Sequence, residues 1–242
     1  MVPRILLRLG VPLRDTLNSL FYRYAGRDRR PVFFDIDETK PELRRLEEQF
    51  EVIEEELGRV LPNLDGIPRY HEIDPGQNYI SGGDELAWKV LVLYVWGSKG
   101  NLPNRELVPR TMDLVAGIPD VCQAFFSILE PGKNVPAHNG PSFGFLRYHL
   151  AMRVPKKAPP SIRVKDQVYT WKYREGMLFD DSWNHEVMNE SEEVRVCLVV
   201  DFLRPMPWPL QALNRMWWNY KLAVKAFPEA EKLEIRPAAG EA

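Results

Sequence analysis

His138 and His185 lie 47 positions apart, and Arg195 follows the second by ten. Two imidazoles can offer a metal ion neutral nitrogen ligands, and imidazole suits iron. Arg195 sits in Val194-Arg195-Val196-Cys197-Leu198-Val199-Val200, a run so apolar that its strand is expected to be covered on both faces. A guanidinium there cannot shed its charge. It needs a carboxylate of the protein, such as Asp201 or Asp180, or the anion of a ligand. Two imidazoles and a fixed guanidinium are what a non-haem Fe(II), 2-oxoglutarate-dependent oxygenase requires, as metal ligands and as anchor for the co-substrate's distal carboxylate. Three of the four histidines, His138, His149 and His185, fall in this region, and His71 lies outside it. Zinc held by two histidines and water is the alternative metal, although no further ligand or catalytic glutamate motif accompanies them. The position two after His138, where a carboxylate would complete the usual iron-binding face, is Gly140.

Such residues need a rigid frame, and from about residue 122 the sequence turns to short strand signals separated by turns. The candidate strands are 124–129, 143–154, 162–164, 168–173, 177–180 and 194–202, with Pro131-Gly132 and Glu175-Gly176 among the turns. In the second, Leu146, Tyr148, Leu150 and Met152 alternate with Phe145, Arg147, His149 and Ala151. Arg147 and His149 therefore project side by side to one face, which predicts an anion pocket inside a barrel, the alternative being an exposed polar sheet face. The strand spacing is that of a compact antiparallel sandwich or barrel. Before it, residues 39–61 carry one helical stripe of Leu43, Leu46, Phe50, Ile53, Leu57 and Val60. Thr39 and Glu42 have the spacing of a capping box, and Glu47, Glu48, Glu51, Glu54, Glu55 and Glu56 predict a solvated acidic face. Residues 62–105 are mixed, Pro109 to Ala116 predicts a short helix, and 210–224 is again helical in spacing. The class is α+β. The expected organisation is one domain over 1–242, with a mainly helical region over 1–121, a β core over 122–205 and a C-terminal helix and tail over 206–242.

An apolar fraction of 45% and seven tryptophans suffice for a sizeable core, and a formal charge of −2 argues against nucleic acid as a partner. With Cys122 and Cys197 the only cysteines, no disulfide framework or Cys-rich zinc site is expected, and a reducing cytoplasm fits. No run has the apolar length that spans a bilayer. Arg4, Arg8 and Arg14 interrupt the apolar residues at the N-terminus, which speaks against a signal peptide. A helix packed on the domain or a basic amphipathic helix in peripheral contact with a membrane remains.

The stretches FFSILEPGKNVPAHNGP, FLRYHL, FDDSWNHEV and VRVCLVVDFLRP, in this order and spacing, resemble the aspartyl/asparaginyl β-hydroxylase family of Fe(II)/2-oxoglutarate dioxygenases. The similarity covers 125–205 and extends more loosely to Trp88 and to Pro109-Arg110-Thr111. The resemblance implies a double-stranded β-helix, a jelly-roll or cupin-like core, with flanking helices. It implies His138 and His185 as iron ligands and Ser127 and Arg195 on the distal carboxylate of 2-oxoglutarate. It places Arg147 and His149 near the oxalyl end and the substrate. Gly140 fits as well, because animal members carry glycine there and water completes the coordination. The implied reaction consumes O2 and 2-oxoglutarate, hydroxylates an unactivated C–H, and releases succinate and CO2.

One departure bears on the substrate. Animal peptide hydroxylases carry a second arginine two residues before the one matching Arg147, and this chain has Phe145. That weakens the case for an acidic peptide. The segment GFLRYHL and the tail Arg204-Pro205-Met206 look closer to bacterial lipid A acyl-chain hydroxylases, so a peptide, an amino acid and an acyl chain all stand as substrate classes. Asp180 and Asp181 are expected to shape the turn before His185 or to accept from an imidazole N–H. Two other function classes are a non-catalytic β-helix binding module, against which intact His138, His185 and Arg195 count, and a membrane-associated interaction protein with Trp217 and Trp218 at the lipid interface.

Overall fold

The computed structural model describes residues 4–83, 85–98, 102–224 and 233–236, with side chains described from residue 12 and, in the C-terminal helix, to residue 221. Helix α1 (Arg4–Ala25) leads through strand β1 (Phe33–Phe34) to short helices α2 (Ile36–Thr39) and α3 (Arg44–Glu48) and the longer α4 (Phe50–Val60). Two single-turn helices, α5 (Tyr70–Ile73) and α6 (Asn78–Ser81), precede β2 (Trp88–Val95) and α7 (Pro109–Ala116). Eight strands follow: β3 (Val121–Leu129), β4 (Val135–Asn139), β5 (Phe145–Arg153), β6 (Ser161–Val164), β7 (Gln167–Thr170), β8 (Gly176–Phe179), β9 (Asn184–Met188) and β10 (Arg195–Leu203). Helix α8 (Trp208–Val224) comes last.

Every strand pairing is antiparallel. One sheet has the order β1-β8-β5-β10-β3-β2 and the other β4-β9-β6-β7. From β3 onward the chain passes back and forth between the two sheets, with only the β6–β7 hairpin staying in one, so that each is wound from both halves of the core. This is a double-stranded β-helix, and the domain is α+β with helices before and after it.

Strand β10 is buried at all nine positions, because the sheet is covered on both faces. Its even residues belong to the outer face, where the Tyr148 hydroxyl reaches Glu47 of α3 and the Lys40 ammonium lies 5.8 Å from the centre of the Phe202 ring. Its odd residues share the inner face with Ser127, His149 and Arg147, their cross-strand partners being Cys197, Val199 and Asp201. Helix α7 packs on β2 and β3, and α4 packs on α7.

The stripe from Leu43 to Val60 is buried throughout, but the helix expected over 39–61 is broken. Pro41 has no N–H to give and its ring clashes with a preceding helical turn, so α2 ends at Thr39. No capping box forms from Thr39 and Glu42. The cap is Asp35, whose side chain accepts from the Glu38 amide at 3.0 Å. The acidic face is not simply solvated either: Glu51 pairs with Arg174, Glu54 with Arg153 and the Tyr173 hydroxyl, and Glu56 is fully buried. Residues 88–95, expected to be mixed, form β2 beside β3, and β1 joins the far edge of the same sheet, so the larger sheet draws two strands from the region expected to be mainly helical.

Trp217 is buried against Leu17 and Phe21, and Trp218 is half-buried against Trp96. Among the N-terminal arginines Arg14 is exposed, while the side chains of Arg4 and Arg8 lie outside those described. Among the described residues no helix is long and apolar enough to cross a membrane.

Glu56 ties the helical layer to the sheet. Its carboxylate accepts from the amides of Arg110 and Thr111 and from the Thr111 hydroxyl at 2.7 Å, satisfying the first turn of α7. Burial alone would raise its pKa, but the Thr111 and Arg110 donors more than offset this and hold the carboxyl below its ordinary 4.5. Glu56→Ala strands those donors and is expected to cost about 3 kcal/mol in urea unfolding at neutral pH. The depressed value means the contribution is present above pH 4.5 and fades as pH falls through the folded-state value, so parent and variant should converge in acid.

Candidate active site

Strands β4 and β9 pair so that His138 stands directly opposite His185, which brings the two rings to 4.1 Å between centroids. The Nδ1 atoms lie 2.8 Å from the carbonyls of Pro136 and Trp183 respectively. A carbonyl only accepts, so each Nδ1 carries the proton and each Nε2 keeps its lone pair. Burial, then the neighbouring His185, pushes the His138 pKa down to about 4, which leaves that ring neutral and ready to ligate at physiological pH. Neither Asp180 nor Asp181 is the acceptor for these N–H groups. The backbone takes that part.

Asp181 has another place. Its Oδ1 lies 3.5 Å from His185 Nε2 and 2.6 Å from Arg147 Nη1. A Cβ added to Gly140 would come within 1.9 Å of Asp181 Oδ2 and 2.7 Å of the Asp181 carbonyl, which accepts from the Gly140 amide at 2.9 Å. The space a side chain at position 140 would need is filled by Asp181. Among the described residues no group of three or more His, Cys, Asp or Glu is arranged to hold a metal ion.

Arg147 and His149 share the inner face of β5, and the structure gives them different surroundings. Arg147 meets Asp201, its direct cross-strand partner, through two hydrogen bonds of 2.7 and 2.8 Å, and Asp181 takes a further nitrogen. Burial works against its charge, but Asp181 and then Asp201 raise its pKa above the ordinary arginine value. Its cation is thus committed to two protein carboxylates, not held open as an anion pocket. His149 stacks on Trp171 at 17° and 5.9 Å and meets Phe179 edge-on, and its Nδ1 has no partner. Burial, then Arg147 and Arg195, pushes its pKa well below the ordinary value, so it is neutral.

Arg195 is 2% exposed, and its carbon centre lies 4.6 Å over the Trp171 ring. Its Nη1 approaches the Ser127 hydroxyl at 3.4 Å, and its Nε has no partner. The two carboxylates that could have paired with it are engaged elsewhere: Asp201 with Arg147 and Gln123, Asp180 with Arg30 and Arg204. Among the described residues Arg195 has no carboxylate partner. The Ser127 oxygen also accepts from the Trp88 indole at 3.0 Å, which leaves the serine proton to donate elsewhere. Trp171, unmarked in the sequence reading, is the platform under both His149 and Arg195, and its indole nitrogen is unpartnered as well. His71 stands apart, bonded to Ser81.

A cleft of about 530 Å3 ends at His138, Arg147 and Asp181. From there its wall runs along Phe145, Tyr94, Trp96 and Trp218 to α8. Arg195, Ser127 and His149 do not line it, so the groups that call for a small anion are enclosed apart from the cleft wall.

Against known proteins, the family model for aspartyl/asparaginyl β-hydroxylase matches residues 47–205. The ornithine lipid ester-linked acyl 2-hydroxylase of Rhizobium tropici is 34% identical over 92% of this chain and 77% of its own length. The aspartyl/asparaginyl β-hydroxylase of Homo sapiens is 28% identical over 70% of this chain, which spans 22% of that protein. Among solved structures, a cupin 2 conserved barrel domain protein from Salinispora arenicola is 9% identical, with a TM-score of 0.33 over 57% of this chain and 88% of its own.

The crowding at position 140 is testable. Gly140→Ala must displace Asp181, whose carbonyl is backbone and cannot swing away, and is expected to lower stability by about 1–3 kcal/mol. It should also weaken Fe(II) binding measured by equilibrium dialysis. Unchanged values of both would show that Asp181 does not fill that space.

Proposed function

The chain belongs to the aspartyl/asparaginyl β-hydroxylase family and is a hydroxylase, and from that premise we propose that its chemistry depends on Fe(II) and 2-oxoglutarate. Arg195 carries this reading. A guanidinium at 2% exposure with no carboxylate partner among the described residues calls for an anion from outside, and the same β core holds a pair of imidazoles whose Nε2 atoms suit iron. When bound there with 2-oxoglutarate, iron supplies the O2 chemistry that hydroxylates an unactivated C–H, with succinate and CO2 as co-products.

The residues divide the remaining work. His138 and His185 hold the metal through Nε2, with the Asp181 carboxylate 3.5 Å from the latter to balance its charge. Arg195 and the Ser127 hydroxyl hold the distal carboxylate of the keto acid. His149 meets the oxalyl end as a neutral hydrogen-bonding group. Arg147 positions Asp181 and, with Asp201, leaves this corner one charge negative, which favours a cation. The apolar layer of Trp171 and Phe179 excludes water from the co-substrate.

For the substrate, an acyl chain fits the cleft better than an acidic peptide side chain. Phe145 is 4% exposed and packs with Cys122 and Leu203 beside Trp96 and Trp218, so the wall next to Arg147 is aromatic. No cation of β5 is free there to meet a substrate carboxylate. The Rhizobium tropici relative is named for an ester-linked acyl chain, which supports the same reading.

His138→Ala and His185→Ala are each expected to abolish succinate release and stoichiometric iron binding; near-normal turnover in either overturns the ligand assignment. Arg195→Ala should weaken 2-oxoglutarate binding by roughly 100-fold, read by calorimetry on the folded variant. An unchanged affinity would place the anchor elsewhere. Phe145→Arg should lose turnover on acyl substrates and gain on acidic peptides, whereas an unaltered substrate profile removes Phe145 as a determinant.

A further inference from the structure

We propose that the paired helices α1 and α8 seat the protein on an anionic lipid bilayer, with the cleft opening beside the seat. The inference bears on how an acyl chain reaches the site, but its test requires no iron, co-substrate or turnover.

The first observation is a second apolar face. The two helices already use one face for each other: Leu17 and Phe21 of α1 are buried against Trp217 of α8. A helix on a water-soluble surface turns polar residues outward. These turn apolar side chains outward as well, beside polar ones such as Arg14, Ser19 and Arg215. On α1, Leu13, Leu20 and Tyr24 recur at steps of seven and four and are all exposed. On α8, Trp208, Ala212 and Met216 recur every fourth residue along its exposed side, Trp208 at 81% and Met216 at 53% exposure. An indole that open to water is at home where an apolar ring meets a wet interface.

The second observation is charge. Helix α1 carries Arg4, Arg8, Arg14 and Arg23 against the single acid Asp15, and α8 carries Arg215 and Lys221 with no acid. The two helices are five charges positive in a chain whose formal total is −2, which leaves seven negative charges on the rest. Arg215 is paired with Asp120, but the two helices together remain the basic part of an otherwise acidic protein, which complements anionic headgroups.

The third is position. Trp218 and Lys221 line the cleft from α8, within two helical turns of the exposed Met216, and the Lys221 ammonium lies 3.8 Å from the centre of the Trp218 ring. The same helix thus borders the cleft on one side and carries the outward stripe on the other. A chain leaving the bilayer beside α8 meets Trp218, Trp96 and Phe145 before it meets the imidazoles.

The experiment is co-sedimentation of the metal-free protein with vesicles of phosphatidylcholine alone and of equal parts phosphatidylcholine and phosphatidylglycerol. Binding is expected to the anionic vesicles, with release at high salt. The double variant Leu20→Glu, Met216→Glu should lower partitioning about tenfold or more, and Trp208→Ala, which removes an 81% exposed side chain, gives a second reading that cannot be blamed on unfolding. Circular dichroism melts on each variant confirm the fold. Equal binding to both vesicle types, no binding, or variants that bind as the parent does would each overturn the proposal. So would a face covered by a second copy, seen as a dimer that the double variant converts to monomer without any vesicle binding.

Discussion

One buried cation governs the site: the Arg195 guanidinium, enclosed at 2% exposure over the Trp171 ring, beside the Ser127 hydroxyl and backbone carbonyl and with no carboxylate among the described residues. Removing a charge from water without a partner costs several kcal/mol, and arginine cannot escape by losing its proton. The fold accepts this cost in one place while avoiding it everywhere else. Arg30 and Arg204 share Asp180, and Arg147 has both Asp181 and Asp201. Those buried arginines, with their carboxylates, are structure. Arg195 has no carboxylate among the described residues, and the proposed diacid would complete its electrostatics.

The frame that permits this is antiparallel register. Side chains on facing strands meet only when directly opposite or offset by two, so each functional contact is a statement about pairing. His138 faces His185, Arg147 faces Asp201, and Ser127 faces Cys197, two positions from Arg195 on the same face. Slipping β10 by one residue would send Arg195 and Asp201 to the helix-covered side and leave Arg147 with Asp181 alone. The apolar alternation of β10, with Val196, Leu198, Val200 and Phe202 packed outward, opposes that slip. Core packing and site geometry are therefore set by the same pattern.

Much of this was legible in the chain, for identifiable reasons. Six strands were marked by alternation and turn residues, α7 by its proline and glycine ends, and the site histidines and Arg195 by their rarity in an apolar setting. Strand β2 escaped because WKVLVLYV is buried almost throughout and lacks the two-residue period that marks a half-exposed strand. Strands β4 and β9 escaped because Pro136 and the polar run Asn184-His185-Glu186 mask them, although both carry the imidazoles. Three-dimensional exclusion was beyond reach: that Asp181 fills the space beside Gly140, that Glu56 is buried among its solvated neighbours, and that Trp171 underlies both His149 and Arg195 follow from contacts between distant segments.

The two halves of the site obey opposite physical rules, and that opposition fits its chemistry. At the enclosed end the groups are polar and dry: a guanidinium without a carboxylate among the described residues, a neutral imidazole and an indole N–H. The cleft has an aromatic wall of Phe145, Tyr94, Trp96 and Trp218, and its Arg147 is already paired with Asp181 and Asp201. A charged substrate would have to compete with Asp181 and Asp201 for that arginine and would lose, since both carboxylates are already desolvated around it. An apolar chain competes with nothing and gains contact along Phe145, Trp96 and Trp218. Selectivity at the open end thus comes from what the arginine no longer offers, and chemistry at the closed end from what Arg195 still lacks.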